Sequence, residues 1–506
     1  MNINAFRIVK LAGIVVILAL SVIDPAQDAP AVPESTLTVT RTDDRNNGTC
    51  VAGDCSLREA IYAANASAAD DTITFAAGLT KITLTDEIVI NNAGALNING
   101  AGANALTLDG GSGSNRIFYI DRANVTISGL TLTDGNGTGA NFSGGGGAIY
   151  VYGDYNVTNG SLTLDSVHIT ANGAGGGGGV FFEGAGIHRI INSTFSSNTT
   201  GTLGYGGGFY YDGSPSGSLT VVNSTISGNW AGYGAGFVAD CGGVTRLRNV
   251  TVTNNAAGVV GGGIYQASNN DYSCRDKFTI GNTVVAGNTG THAAPAYAPE
   301  IYSELSGSYA SMISAGGNLI GNLSGNSIYL GYGNGIAYQS SDILDTDPRL
   351  GPLQSNGGPV PTLALLAGSP LIDRGINSLV DTSASAFDQR GPGFQRIRDG
   401  NGDGLPVVDI GATELQAGTL GSAFVALSGR VSAPDGSGLR NASVMLNDAQ
   451  GPARTVTTSS FGFYSFDNVA TGSSYTIAIT SRRFRYQELT VQPSADLTNL
   501  DFVGLE

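Results

Sequence analysis

Apolar and polar residues alternate in short runs along most of this chain. "KITLTDEIVI" (81–90), "ALNINGAGANALTLDG" (95–110) and "NRIFYIDRANVTISGLTLTDGN" (115–136) send every second side chain to the same side, the period of a half-buried strand. Between 145 and 290 the alternation becomes a repeat. "GGAIYVY", "GGGVFFE", "GGGFYYD", "GAGFVAD" and "GGGIYQA" align on Ile149, Val180, Phe209, Phe237 and Ile264, at spacings of 31, 29, 28 and 27 residues. A second set, "SVHITAN", "NSTFSSN", "NSTISGN", "NVTVTNN" and "NTVVAGN", aligns an apolar column (Ile169, Phe195, Ile226, Val252, Val285). It also aligns an amide column (Asn172, Asn198, Asn229, Asn255, Asn288).

A repeat of this length with short strands and no helix predicts a solenoid of stacked coils. Successive strands then lie about 4.8 Å apart, so equivalent residues form ladders, apolar inside and amide-to-amide at the Asn column. The glycine triplets permit sharp turns where a Cβ would clash. One stretch departs from the period. In "CVAGDCSLREAIYAAN" (50–65), Ser56 and Glu59 make a capping-box pattern, and Leu57, Ile61 and Ala64 share a helical face. A short amphipathic helix there would close the open first coil, and a Cys50–Cys55 bridge would pin the loop leading into it.

The ends of the chain read differently. Arg7 and Lys10 precede an apolar run at 11–23, followed by Ala29-Pro30-Ala31, the pattern of a cleaved export signal with a mature start near Val32. The run is short for a membrane span. Export suits paired cysteines, and Cys241 and Cys274, which follow aromatic strands of neighbouring coils, are expected to form a second bridge. The net charge of −16 argues against nucleic acid or anionic lipid as partners.

Candidate chemistry is sparse. The acids of the repeats (Asp154, Asp165, Glu183, Asp212, Asp240, Asp271, Asp276) are read as not recurring on adjacent coils. His168 falls in an outward column with Thr194, Thr225 and Thr251; His168 and His188, the latter beside Arg189, read as solvated strand residues. The column Tyr150, Phe181, Tyr210, Val238 and Tyr265 faces away from the core and reads as packing beneath the loops of each coil. "DGNGDG" places Asp399, Asn401 and Asp403 on alternate positions of a calcium-type loop, with Asp409 as a further ligand. The pattern fits either a structural calcium site or an Asx/Gly-rich turn.

Three stretches carry resemblances. "CSLREA" (55–60) resembles the signature of the CSLREA domain, seen at the N-terminus of secreted bacterial right-handed parallel β-helix proteins. "TDPRLGPLQSNGGPVPTLALLAGSPLIDRG", "FDQRGPG" and "VVDIGATE", within 346–414, resemble the choice-of-anchor Q region that closes the C-terminal end of such helices. "GRV", "DGSGLRNASVML" and "TSSFGFYSF", within 426–503, resemble a carboxypeptidase-regulatory-like β-sandwich, a module that is usually a non-catalytic appendage.

The expectation is an all-β chain: a signal peptide (1–31), a cap with a short helix (32–69), a right-handed parallel β-helix (70–345), a closing region (346–414), a linker (415–425) and a small β-sandwich (426–506). The expected function is non-catalytic, at the cell surface or outside the cell, in adhesion, matrix or glycan binding. The partner would be a surface glycan or another surface protein, with no cofactor beyond a structural calcium. The alternative is a polysaccharide lyase or glycoside hydrolase of the pectin-lyase-like type.

Overall fold

The structure, a computed structural model, describes residues 35–505 except 112, 114, 241, 268–275, 291–299, 304–311, 324–335, 367, 383–385, 417–423, 449–452, 471–473, 492, 494 and 495. The expected signal peptide, the Cys241–Cys274 bridge and most of the linker lie outside these residues.

The chain winds through four parallel sheets of eleven, eight, ten and five strands. One coil shows the scheme. Val180–Gly184 lies in the eight-stranded sheet, Ile187–Ile191 in the eleven-stranded, Thr194–Ser196 in the ten-stranded and Thr199–Tyr205 in the five-stranded, before Phe209–Gly213 returns to the first. This is a parallel β-helix. The aligned residues are register partners: Ile149 with Val180, Val180 with Phe209, Phe209 with Phe237, and Phe237 with Ile264. The coil turns at four left-handed residues, Gly184 (φ 94°), Asn192 (φ 50°), Ser197 (φ 57°) and Gly206 (φ 70°), and the next coil repeats the last three at Asn223, Gly228 and Gly234. Asn and Gly suit these corners because they tolerate positive φ.

Inside, one apolar cluster runs the length of the solenoid, with Ile169, Phe195, Ile226, Val252 and Val285 fully buried in a column. The amide column is a continuous ladder. Asn229 Oδ1 accepts from the backbone N–H and the Nδ2 of Asn198, both at 3.0 Å. Asn229 Nδ2 donates back to the Phe195 carbonyl (3.0 Å) and on to Asn255 Oδ1 (2.9 Å), so one side chain ties three coils. The same pattern runs from Asn172 to Asn288. It ends at the buried Glu300, whose carboxylate accepts from the N–H of Gly287 and Asn288 and from Asn288 Nδ2.

The first coil begins earlier than expected. Ser35–Val39 pairs in parallel with Asp71–Phe75, so the solenoid starts at the first described strand, and the helix follows it within the first coil. Leu57–Asn65 is that helix. Ser56 caps it, accepting from the Glu59 N–H (3.1 Å) while Glu59 accepts from the Ser56 N–H (2.9 Å). Leu57, Ala60, Ile61 and Ala64 are buried in the solenoid core, and Cys50 is bonded to Cys55.

Residues 346–414, expected to close the C-terminal end, lie along the side of the solenoid. They run back along the outer face of the ten-stranded sheet, where Leu350, Leu363, Leu365, Leu371 and Ile410 pack on Val284, Ala286 and Leu319. Gln389 exchanges hydrogen bonds with Thr194 (2.7 Å) and Thr225 (2.6 Å), and the Pro361 carbonyl accepts from Thr194. The C-terminal strands form a three-stranded sheet on Phe424–Ser432 and a four-stranded antiparallel sheet on Ser443–Asp448 and Tyr475–Thr480, with their own core around Val444, Tyr464, Phe466 and Ile477.

Candidate functional site

The outer face of the eight-stranded sheet carries two parallel rows. The first is aromatic. Tyr150 stacks on Phe181 with centroids 5.0 Å apart, Phe181 meets Tyr210 edge-on at 4.7 Å, and Tyr265 stacks on Tyr302 at 5.4 Å. Strand alternation sends these rings outward, yet Tyr150 and Tyr265 are buried, because the 137–146 loop folds over the first and the five-stranded sheet over the second. Tyr233 lies 5.9 Å from Tyr265, and Phe142 lies 4.7 Å from Tyr150. The row is packing beneath loops, as its sequence suggested. At its N-terminal end the buried Arg116 guanidinium sits over Tyr119 and Tyr150, pairs with Glu87 and donates to the Gly145 carbonyl, which holds the 137–146 loop in place.

The second row corrects the reading of the acids. The fourth position of each strand aligns Asp121, Tyr152, Glu183, Asp212 and Asp240, so three acids do recur on adjacent coils. Glu183 and Asp212 are direct register partners. Tyr155 arches over them from the neighbouring loop. Its hydroxyl donates 2.7 Å to Asp212 and lies 3.3 Å from Glu183, which also accepts from Tyr150. The Tyr155 ring remains exposed. Burial pushes the Asp212 carboxyl above its ordinary range, against the pull of the Tyr155 hydroxyl. Burial and the two acids push the Tyr155 hydroxyl up as well. Next to the row, Arg122 pairs with Asp121 and Asp154, both at 3.1 Å, and lies over Tyr152. The arrangement offers an exposed ring flanked by two carboxylates that accept hydrogen bonds.

The histidines are placed elsewhere. His188 is not solvated: it points into the solenoid between Leu162 and Leu219, its Nδ1 accepting from the Leu162 N–H (3.3 Å), and burial lowers it to about 3. Its neighbour Arg189 faces outward, 3.7 Å from Asp381. His168 keeps the outward column but lies largely covered, 2.8 Å from Ser196 Oγ, and burial lowers it to about 4. Both imidazoles are therefore neutral at physiological pH, and His188 packs against the Phe182 and Tyr211 rings on the inner side of the sheet whose outer face carries the acidic row.

The calcium-type loop is brought together only in part. Asp399 accepts from the N–H groups of Gly402 (2.6 Å) and Gly404 (2.7 Å), Asn401 accepts from Asp403, and Asp403 accepts from Leu405, so the side chains fold the turn. Asp409 is apart from it. Its carboxylate accepts from the N–H groups of Asp373 and Leu415, in a buried cluster with Arg396 and Glu414, and burial pushes it up to about 6. No group of three or more His, Cys, Asp or Glu side chains suited to a metal occurs among the described residues.

Comparison with known proteins reaches only the last domain. Residues 426–503 match the family model of the carboxypeptidase regulatory-like domain. No curated protein and no solved structure matches the chain. No helix among the described residues is long and apolar enough to cross a membrane.

Proposed function

We propose that this chain is an exported, non-catalytic β-helix protein that binds glycan at the surface of the cell or in its matrix. The observation that carries this reading is the exposed Tyr155 ring, fixed by its hydroxyl to Asp212 and Glu183. A sugar ring stacks on such an aromatic face, and flanking carboxylates accept hydrogen bonds from its hydroxyls. The acidic row selects neutral sugars, because it repels uronates and phosphates. A solenoid whose coils are tied by a continuous amide ladder keeps this geometry fixed, which lowers the ordering cost of binding. The "CSLREA" stretch and the apolar run at 11–23 support a place outside the cytoplasm, by resemblance and by pattern. The test is a glycan array with the wild-type protein and Tyr155→Ala. Retention of neutral glycans that the variant loses supports the reading; no retention, or equal retention by both, defeats it.

A second reading is favoured by one feature. Glu183 and Asp212 stand on adjacent coils, and the Asp212 carboxyl is raised, the pairing that glycoside hydrolysis uses for an acid and its partner. If turnover of a polysaccharide is found, these two carboxylates carry it, and not the occluded His168 and His188.

A further inference from the structure

The C-terminal sandwich presents a cationic surface on an otherwise acidic protein. Residues 426–503 hold six arginines and six acids and are neutral, while the whole chain carries −16, so the excess negative charge lies outside this domain. Three of those arginines, Arg482, Arg483 and Arg485, fall within four residues, on the loop between Tyr475–Thr480 and Leu489–Val491, and all three are exposed. No described acid lies within ion-pairing distance of them. Of the other three arginines, Arg430 donates to the Phe461 carbonyl (2.9 Å) and Arg454 to that of Asp467 (2.6 Å), while Arg440 is exposed.

The loop is held in shape from beneath. The Arg483 N–H donates to Ser481 Oγ (3.2 Å), and the Arg485 carbonyl accepts from the Leu505 N–H (2.8 Å). The Tyr486 hydroxyl donates to the Ser432 carbonyl (3.0 Å), and Phe484 sits so close to Gly504 that a Cβ there would come within 3.0 Å of it. Phe484 and Tyr486 are half-buried while Arg483 and Arg485 are exposed, so the two arginines reach solvent from the same anchored loop.

We propose that this loop docks a carboxylated polysaccharide, a site separate from the neutral-sugar row on the solenoid. Guanidinium forks match carboxylates in a bidentate way, and three exposed arginines on an anchored loop offer a cluster of such forks to a linear polymer. A broad anionic plane such as a membrane would also face the acidic remainder of the protein and be repelled; a single polymer chain can touch the loop alone. The test is affinity electrophoresis of the full chain and of the triple variant R482S/R483S/R485S in gels holding polygalacturonate, with neutral dextran gels and co-sedimentation with phosphatidylglycerol vesicles as further arms. The expected result is retardation by polygalacturonate that weakens with added salt and falls at least tenfold in the variant, with an unchanged melting temperature, because the three side chains are exposed. Equal retardation of both proteins, or none of either, overturns the proposal, and so does a loss in the variant seen with vesicles but not with polygalacturonate. Failure here leaves the neutral-sugar reading standing, because that reading is judged on neutral glycans and Tyr155→Ala.

Discussion

Replacing Asn229 with alanine removes the middle rung of the amide ladder. Its Oδ1 is the acceptor for two buried donors, the N–H and the Nδ2 of Asn198, and neither has water within reach. Each stranded donor costs about 1–3 kcal/mol, so the substitution should cost about 2–6 kcal/mol in all. Asn198 Nδ2 keeps its second bond, to the Ile169 carbonyl, which favours the lower half of that range. The matched control is Asn124→Ala, because Asn124 is exposed at the first position of its strand; surface changes of that kind fall within about 0.5 kcal/mol. Asn223 is no control, because it holds a left-handed corner (φ 47°) and donates to the Phe387 carbonyl. The chain's single tryptophan, Trp230, is the next residue along, so its fluorescence reports the coil that is perturbed. In urea the Asn229→Ala midpoint should drop on the order of 1 M, given usual denaturant slopes. Equal midpoints for the two variants would show that the column does not hold the coils together.

Gly236→Ala should unfold the same region, because a Cβ there collides with the Gly263 carbonyl, whereas Gly258→Ala, with its nearest neighbour 3.7 Å away, should be tolerated; the Trp230 signal in urea compares them directly. His188 is lowered from its usual value to about 3, so the unfolded chain takes up a proton before the fold does as pH falls below about 6.5. Stability is therefore full above pH 6.5 and falls by about 1.4 kcal/mol per pH unit for this group on the way to pH 5; melting curves should show a flatter pH slope for His188→Leu, and an unchanged slope would place the imidazole in water. Ser56→Ala removes the helix cap and should cost about 1 kcal/mol, read as a small loss of melting temperature at neutral pH.

The repeat period fixed the register of the coils in advance because the same columns that bury Ile, Val and Phe also pair the strands. The acidic row was equally legible: Glu183, Asp212 and Asp240 each stand three residues after an aligned core residue, and counting from Val180, Phe209 and Phe237 exposes them. His188 too was legible by parity, since Ile190, two residues on, faces inward. What local sequence did not carry depends on long-range contact. The Ser35–Val39 strand lies apart from the repeat and is recognisable only by its pairing with Asp71–Phe75. The packing of 346–414 along the ten-stranded sheet rests on bonds such as Gln389 to Thr194, about 200 residues apart. Tyr155 reaches the acids from a loop outside any repeat column, so no periodicity announces it.

The most direct test of the functional account is to incubate the purified protein with the neutral polysaccharides it retains and to follow both retention and new reducing ends, alongside Asp212→Asn. Retention with no products from either protein is the expected result. Products formed by the wild type and abolished in Asp212→Asn, with fold and melting temperature intact, would contradict it and make the acidic row a hydrolytic site.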